Sequence, residues 1–82
     1  MIRVEAMEQL IDFLLQLEAN NIPFRLGSVR DAIMVVLPSP SRYYEIEFFA
    51  DSRVEVQTFG PASAVEVIPY DEMRRRVISE IL

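Results

Sequence analysis

The stretch YYEIEFFADSRVEVQTF, residues 43–59, decides the fold. Apolar and polar side chains alternate through residues 43–49 and again through residues 53–59, which is the period of a half-buried strand. The apolar set is Tyr44, Ile46 and Phe48 in the first run, and Val54 and Val56 in the second. Residues 50–52 separate the two runs. The pattern therefore predicts an antiparallel hairpin with one face in the core.

The length of the hairpin loop determines which side chains share a face. A two-residue turn would pair Phe48 with Glu55 and would place carboxylates beside the apolar row. A three-residue loop, residues 50–52, pairs Phe48 with Val54 instead, and we predict this register. It requires Ser52 to adopt the left-handed backbone conformation, at a cost of about 1 kcal/mol relative to glycine.

The opposite face of the hairpin is the candidate binding surface. Seven candidate partner-binding residues lie there: Tyr43, Glu45, Glu47, Phe49, Glu55, Gln57 and Phe59. The predicted register pairs Tyr43 with Phe59, Glu45 with Gln57, Glu47 with Glu55, and Phe49 with Arg53. Like charges directly opposite each other destabilise a sheet by up to about 1 kcal/mol, so we expect Arg53 or Arg42 to relieve the Glu47–Glu55 pair.

This face allows two interpretations. It is either an ordinary solvated surface, or a site where carboxylates framed by three exposed aromatic rings attract a basic protein. The hairpin acids Glu45, Glu47, Asp51 and Glu55, set against Arg53, hold a formal charge of −3 out of the net −5 of the chain. The acidity of the protein is therefore concentrated in this hairpin.

An amphipathic helix is predicted before the hairpin, at residues 4–19. Its apolar side chains recur at helical spacing, and Val4, Phe13 and Leu15 widen the apolar stripe beyond the usual arc. Asn20 and Asn21 offer a left-handed residue for its C-terminal end, and Pro23 then prevents its continuation.

Further strands and a second helix complete the prediction. Strands are expected at residues 23–28 and 32–37, in addition to the hairpin. Residues 64–68 are left open between a short edge strand and a loop. A last helix begins near Pro69, with Asp71 as its N-cap, and Pro38–Ser41 is a turn. The order α-β-β-β-β-α predicts a single α+β domain, residues 1–82, with one antiparallel sheet and both helices packed on one of its faces.

The composition excludes several kinds of chemistry. The 82 residues include thirteen acids and eight arginines, but no lysine, histidine or cysteine. Without a thiol or an imidazole there is no disulfide framework, conventional zinc site or Ser-His-Asp triad. Paired carboxylates can act as acid and base or bind a hard cation, but no glycine-rich cradle or basic substrate clamp accompanies them. We therefore predict no catalytic residue, no metal site and no cofactor.

The charge and hydropathy patterns also bear on partners and location. A net charge of −5 disfavours binding to nucleic acid backbones. The one basic cluster, Arg74–Arg76, fans around a helix, so we expect it to pair with Asp71, Glu72 and Glu80 rather than to form an anion site. No run of about 18–20 apolar residues could span a membrane. Met1–Glu5 lacks the pattern of a secretory signal, and we expect a cytoplasmic protein.

Four segments together resemble a known group of proteins. These segments are Ile22–Leu26, Arg30–Val35, Tyr43–Asp51 and Val54–Val56. They resemble small bacterial proteins, some of which are regarded as immunity proteins of polymorphic toxin systems, and the resemblance covers about residues 7–60. This chain has Tyr44 where such proteins often carry tryptophan, Ser52 where they usually have glycine, and Gln57 where an acid is common. The resemblance implies a non-enzymatic protein that binds and neutralises a toxin made by the same cell.

Two hypotheses of different classes follow. The leading one is an acidic, immunity-like binding module whose sheet face engages a basic protein such as a toxin domain. The alternative is a structural or regulatory homodimer, formed through the first helix or through the aromatic sheet face. The wide apolar stripe of the first helix favours the alternative.

Overall fold

The structure, a computed structural model, describes residues 4–38, 42–59 and 64–82. The elements in chain order are α1 (Val4–Ala19), β1 (Arg25–Val29), β2 (Ala32–Pro38), β3 (Tyr43–Phe49), β4 (Val54–Phe59), β5 (Ala64–Val67) and α2 (Tyr70–Ile81). The strands form one antiparallel sheet in the order β1-β2-β3-β4-β5. The predicted α+β class is therefore confirmed, and residues 64–67 add a fifth strand at the sheet edge. Pro38, the first residue of the predicted Pro38–Ser41 turn, belongs to β2. The rest of that turn, the start of the chain and residues 60–63 lie outside the described residues.

The hairpin of β3 and β4 has the predicted register. Phe48 pairs with Val54 and Ile46 pairs with Val56. The amide of Phe49 donates a hydrogen bond to the carbonyl of Arg53 at 2.9 Å, which closes a three-residue loop. Ser52 lies at φ 74°, in the left-handed region that this loop requires.

Both helices pack on the same face of the sheet, which we call the inner face. Five side chains that β3 and β4 present there are at most 2% exposed: Tyr44, Ile46, Phe48, Val54 and Val56. Phe13 and Leu17 of α1, and Met73 and Val77 of α2, are fully buried against them. The Phe13 ring lies 5.8 Å from the Phe48 ring and 6.4 Å from the Tyr70 ring, measured between centroids. The core therefore lies between the two helices and the middle strands.

The C-terminal end of α1 is as predicted, whereas the N-terminal start of α2 is not. Asn21 adopts φ 56° after α1, and the Ile22 amide reaches back to the Leu17 carbonyl at 2.9 Å, as in a Schellman-type end. The prediction of Asp71 as N-cap of α2 is wrong, because α2 begins at Tyr70 and Pro69 occupies the cap without a side-chain hydrogen bond. Burial of Tyr70 in the core explains the earlier start.

The first strand is shifted relative to the prediction, because β1 begins at Arg25 rather than at residue 23 and ends at Val29 rather than at residue 28. Val29 pairs with Ala32, so β1 continues past residue 28 and only Arg30 and Asp31 form the turn. Arg30 takes φ 54° to make this tight connection. Within the described ranges, no helix combines the length and the apolar character needed to cross a bilayer.

Candidate functional site: the acidic outer face of the sheet

The outer face is the side of the sheet turned away from α1 and α2. Strand alternation places all seven predicted site residues on it: Tyr43, Glu45, Glu47 and Phe49 from β3, and Glu55, Gln57 and Phe59 from β4. The predicted pairs Tyr43–Phe59, Glu45–Gln57 and Glu47–Glu55 are all present. The hairpin register therefore brings the candidate residues onto one surface.

Rows of paired residues show what surrounds the acids on this face. The row through Glu47 runs across the sheet from β1 to β5 as Gly27, Met34, Glu47, Glu55 and Val67. The next row is Arg25, Val36, Glu45, Gln57 and Val65. Val65 and Val67 on β5 are 58% and 60% exposed. The acids thus occupy the middle of the face, with apolar side chains on both sides of them.

Aromatic rings flank the two acidic rows along the strand direction, one group beyond Glu45 and the other beyond Glu47. Tyr43 and Phe59 pack edge to face with 5.2 Å between ring centroids, and the Tyr43 hydroxyl donates to Glu45 Oε2 at 3.3 Å. At the other end the Arg53 guanidinium lies 4.0 Å above the centroid of the Phe49 ring. Phe49 is only 4% exposed, so the expectation of a third exposed aromatic is wrong. The guanidinium of Arg53, its cross-strand neighbour, covers the Phe49 ring, which was expected to contact a partner.

Glu47 is the residue at which the structure departs most from an ordinary solvated face. Its side chain is the one charged group among the described residues that counts as buried, at 8% exposure. Its Oε2 atom has no hydrogen-bond partner within the described part of the chain. Glu45 and Glu55 are half-buried. Alternation assigns a side chain to a face but does not say how deeply it is buried. The sequence therefore identified Glu47 as an outer-face residue but gave no sign of its burial.

The expected relief of the Glu47–Glu55 repulsion does not occur. Arg53 is engaged with the Phe49 ring, and Arg42 lies 3.7 Å from Glu80 in an ion pair. Arg53 thus stays on the outer face but contacts an aromatic ring, whereas Arg42 pairs with an acid of α2. The pair of opposed carboxylates therefore stands without a cation in the part of the chain that the structure describes.

Ion pairs are found near α2 instead. Arg74 lies 3.9 Å from Asp12 and 3.8 Å from Asp71, and Arg76 lies 3.1 Å from Glu66. The prediction that Arg74–Arg76 would pair locally holds for Asp71. However, Arg76 pairs with β5, Glu80 pairs with Arg42, and the described ion pairs do not include Glu72. In the described ranges, none of the three outer-face acids makes an ion pair.

Two buried tyrosine hydroxyls join α2 to its neighbours. The Tyr44 hydroxyl donates to Glu80 Oε1 at 2.6 Å, and the Tyr70 hydroxyl donates to Asp12 Oδ2. Burial, reinforced by the nearby Glu80 carboxylate, raises the pKa of Tyr44 to about 12. Burial and Asp12 likewise raise the pKa of Tyr70 well above its ordinary value. Both hydroxyls belong to the inner side, so they support the fold rather than the outer face.

A second candidate surface lies beside α1 and includes exposed residues of its predicted apolar stripe. Met7 and Leu10 line an open groove of about 420 Å³ together with Ile33 and Phe48. The exposed side of α1 continues it with a stripe at helical spacing: Val4 at 73%, Met7 at 46%, Ile11 at 51% and Leu15 at 59% exposure. Leu26 on the edge strand β1 is 55% exposed. The core therefore covers only part of the wide apolar stripe that the sequence predicts for α1.

The outer face presents three carboxylates, Glu45, Glu47 and Glu55. Carboxylates can hold cations and hydrogen-bond donors, but within residues 4–38, 42–59 and 64–82 no three of them converge as a metal site would require. Comparison with known proteins found no matching family model, no matching curated protein and no matching solved structure. The function must therefore be inferred from the geometry of the outer face.

Proposed function

We propose that this protein is a non-enzymatic binding module that captures a basic protein on its outer face. One observation carries the proposal: Glu45, Glu47 and Glu55 are neighbours in the hairpin, and none of them has an ion-pair partner in the described residues. Four acids near α2 do pair with an arginine: Asp12, Glu66, Asp71 and Glu80. The unpaired acids share a face that neither helix covers. A cationic surface brought to this face would supply the missing partners.

The distribution of charge and apolar area fits a protein interface. Long-range attraction between a chain of net charge −5 and a basic partner speeds association, and the effect weakens with salt. Phe59, Val65 and Val67 offer exposed apolar area at the margin of the acidic rows. Apolar contact provides affinity, and the carboxylates select a cationic partner over a neutral one.

The resemblance to immunity proteins narrows the proposed partner. We propose a basic toxin domain made by the same cell and neutralised in the cytoplasm by occlusion of its cationic surface. Support comes from the resemblance over about residues 7–60 and from the acidic outer face. A gene for a large toxin-like protein beside the gene for this chain is the expected genomic setting.

Calorimetric titration with the product of that neighbouring gene tests the proposal. We expect the double variant Glu47→Lys and Glu55→Lys to weaken binding by about a hundredfold or more, because it reverses the charge at the centre of the face. The matched control, Glu5→Lys with Glu8→Lys, makes the same charge change at exposed positions of α1. We expect the control to weaken binding by less than about threefold at physiological salt.

The control also distinguishes binding at the outer face from a general effect of the net charge of the chain. Equal losses in the two double variants would show that net charge alone governs binding, and the outer face would then not be the site. A neighbouring gene product that fails to bind the wild-type chain would remove the toxin-neutralising part of the proposal.

A homodimer is the second candidate, and the exposed stripe of α1 favours it. The stripe ends beside β1, an edge strand with exposed Leu26 and an open row of backbone groups. Two copies related by a two-fold axis could pair their β1 edges and pack their stripes together.

Light scattering over a range of protein concentrations tests the homodimer. A dimer is expected to become a monomer in the variant Leu15→Glu. Because Leu15 is 59% exposed, the variant should keep the stability of the single chain. A wild-type chain that stays monomeric at all concentrations would exclude this candidate.

A further inference from the structure

We infer that the Glu47 carboxylate is the receptor for a single guanidinium group of the partner, so that one arginine of that protein docks at the centre of the outer face. The inference rests on the proposed function and adds to it the chemistry of the central contact. It makes Glu47 the residue that distinguishes an arginine-bearing partner from other basic proteins.

The burial of Glu47 is the first step. Glu47 is 8% exposed as a whole residue, and its shielded Oε2 atom lacks a hydrogen-bond partner in the described residues, which costs free energy in the isolated chain. The cost is not offset within the hairpin, since the cross-strand neighbour is another acid, Glu55. A partner that donates hydrogen bonds to Glu47 removes this cost when it binds, which makes the site a candidate hot spot.

Glu47 lies between Met34 on β2 and Glu55 on β4. The tip of Met34, its neighbour on β2, lies over β1, with its Cε atom 3.5 Å from the point that a Cβ of Gly27 would occupy. Because Gly27 has no side chain, Met34 fills that space and turns away from β3. Glu55 on β4 then supplies a second carboxylate on the other side.

The chemistry of this arrangement favours guanidinium over ammonium. Two carboxylates on adjacent strands present several acceptor oxygens, and a planar guanidinium offers five donors in a fixed fork. Arginine is also less strongly hydrated than lysine, so it loses less on entering a half-buried site. The face already holds one such group, because the chain's own Arg53 stacks on the Phe49 ring one row away. Arg53 is engaged there and leaves the Glu47 carboxylate for a partner.

Two blocked octapeptides test the inference, one alternating arginine with serine and the other alternating lysine with serine. Each is titrated into the isotopically labelled full chain while backbone amide shifts are recorded by NMR. We expect shifts centred on residues 45–49 and 54–57, with the arginine peptide binding about fivefold more tightly than the lysine peptide. Glu47→Gln should abolish this preference.

The matched control is Glu45→Gln, which removes the same charge from a half-buried position on the same strand. It should weaken both peptides by the same factor and keep the preference for arginine. A second variant, Glu47→Asp, keeps the charge but withdraws it by one methylene, and it should also lose the preference. The urea midpoint provides an independent readout, because Glu47→Gln should unfold at a higher urea concentration than the wild type.

The outcomes separate the inference from the proposed function. Shifts on the outer face with equal affinities for the two peptides would overturn the arginine receptor and leave the acidic binding face standing. Equal effects of Glu45→Gln and Glu47→Gln would do the same. Shifts absent from the outer face with both peptides would overturn the receptor and the proposed function together.

Discussion

Ser52 is the residue whose backbone conformation is least suited to its type. It closes the β3–β4 loop at φ 74°, and its Oγ atom is buried without a hydrogen-bond partner among the described residues. Glycine has no Cβ to clash at positive φ and no hydroxyl to bury. We therefore expect Ser52→Gly to raise the free energy of unfolding by about 0.5–1 kcal/mol, measured by urea denaturation.

Ser28 provides the control for that substitution. It lies within β1 and is exposed, and its φ is not positive. Glycine there gains no relief from strain and adds freedom to the unfolded chain, so Ser28→Gly should lower the free energy of unfolding by about 0.5–1 kcal/mol. A loss of stability in both variants would contradict the assignment of strain to Ser52.

Single residues also show where prediction from the sequence stops. Alternation placed Glu47 and Phe49 on the outer face, and the structure agrees. The burial of Phe49 depends on the conformation of its neighbour, since Arg53 folds over the ring, and the burial of Glu47 likewise does not follow from its position on the strand. These are choices between side-chain conformations that hydrophobic periodicity does not encode. The most informative property of the site was therefore visible only in three dimensions.

Among the elements, the β3–β4 hairpin was the most predictable. A one-residue slip would have moved every apolar side chain of one strand to the other face. Only the register with Phe48 opposite Val54 keeps the apolar side chains of both strands on one face, and this register is observed. The start of α2 was less predictable, because Asp71 has the right chemistry for a cap but Tyr70 is held in the core. Tertiary packing decided that boundary.

The helix α1 shows a different limit of prediction. Its apolar arc was read correctly, but the sequence does not say how much of the arc another element covers. Leu17 is fully buried, whereas Leu15, two residues earlier, is 59% exposed. The uncovered part of the arc is what keeps the homodimer candidate open.

At the scale of the whole molecule, the two sides of the sheet treat charge differently. Near the helices, arginines neutralise acids and tie elements together, as Arg76 of α2 does with Glu66 of β5. On the outer face, the acids remain unpaired within the described residues, and Glu47 is buried at a cost. The outer face thus holds three neighbouring carboxylates without an ion-pair partner among the described residues, and this local excess of negative charge is what the proposed cationic partner would meet.

The two buried tyrosines give the whole fold a predictable response to alkaline pH. Tyr44 ties β3 to α2 through Glu80, and Tyr70 ties α2 to α1 through Asp12. The chain has no cysteine, histidine or lysine, so tyrosines are the side chains that titrate between about pH 8 and pH 12. Effects on stability in this range can therefore be assigned to the tyrosines.

The sign of the effect follows from the raised pKa values. An unfolded tyrosine loses its proton near pH 10, whereas the folded chain holds the proton of Tyr44 until about pH 12 and that of Tyr70 to a still higher pH. The stabilisation is fully present below pH 10 and is lost as pH rises through the folded pKa, because the unfolded state releases its protons first. We expect the free energy of unfolding to be level from about pH 8 to 9 and to fall steeply from about pH 10 to 12.

Urea denaturation at a series of pH values measures this fall, and the double variant Tyr44→Phe and Tyr70→Phe should flatten it. The control Tyr43→Phe, on the outer face, should leave it in place, and a wild-type profile that stays level to pH 12 would contradict the role of the two buried hydroxyls.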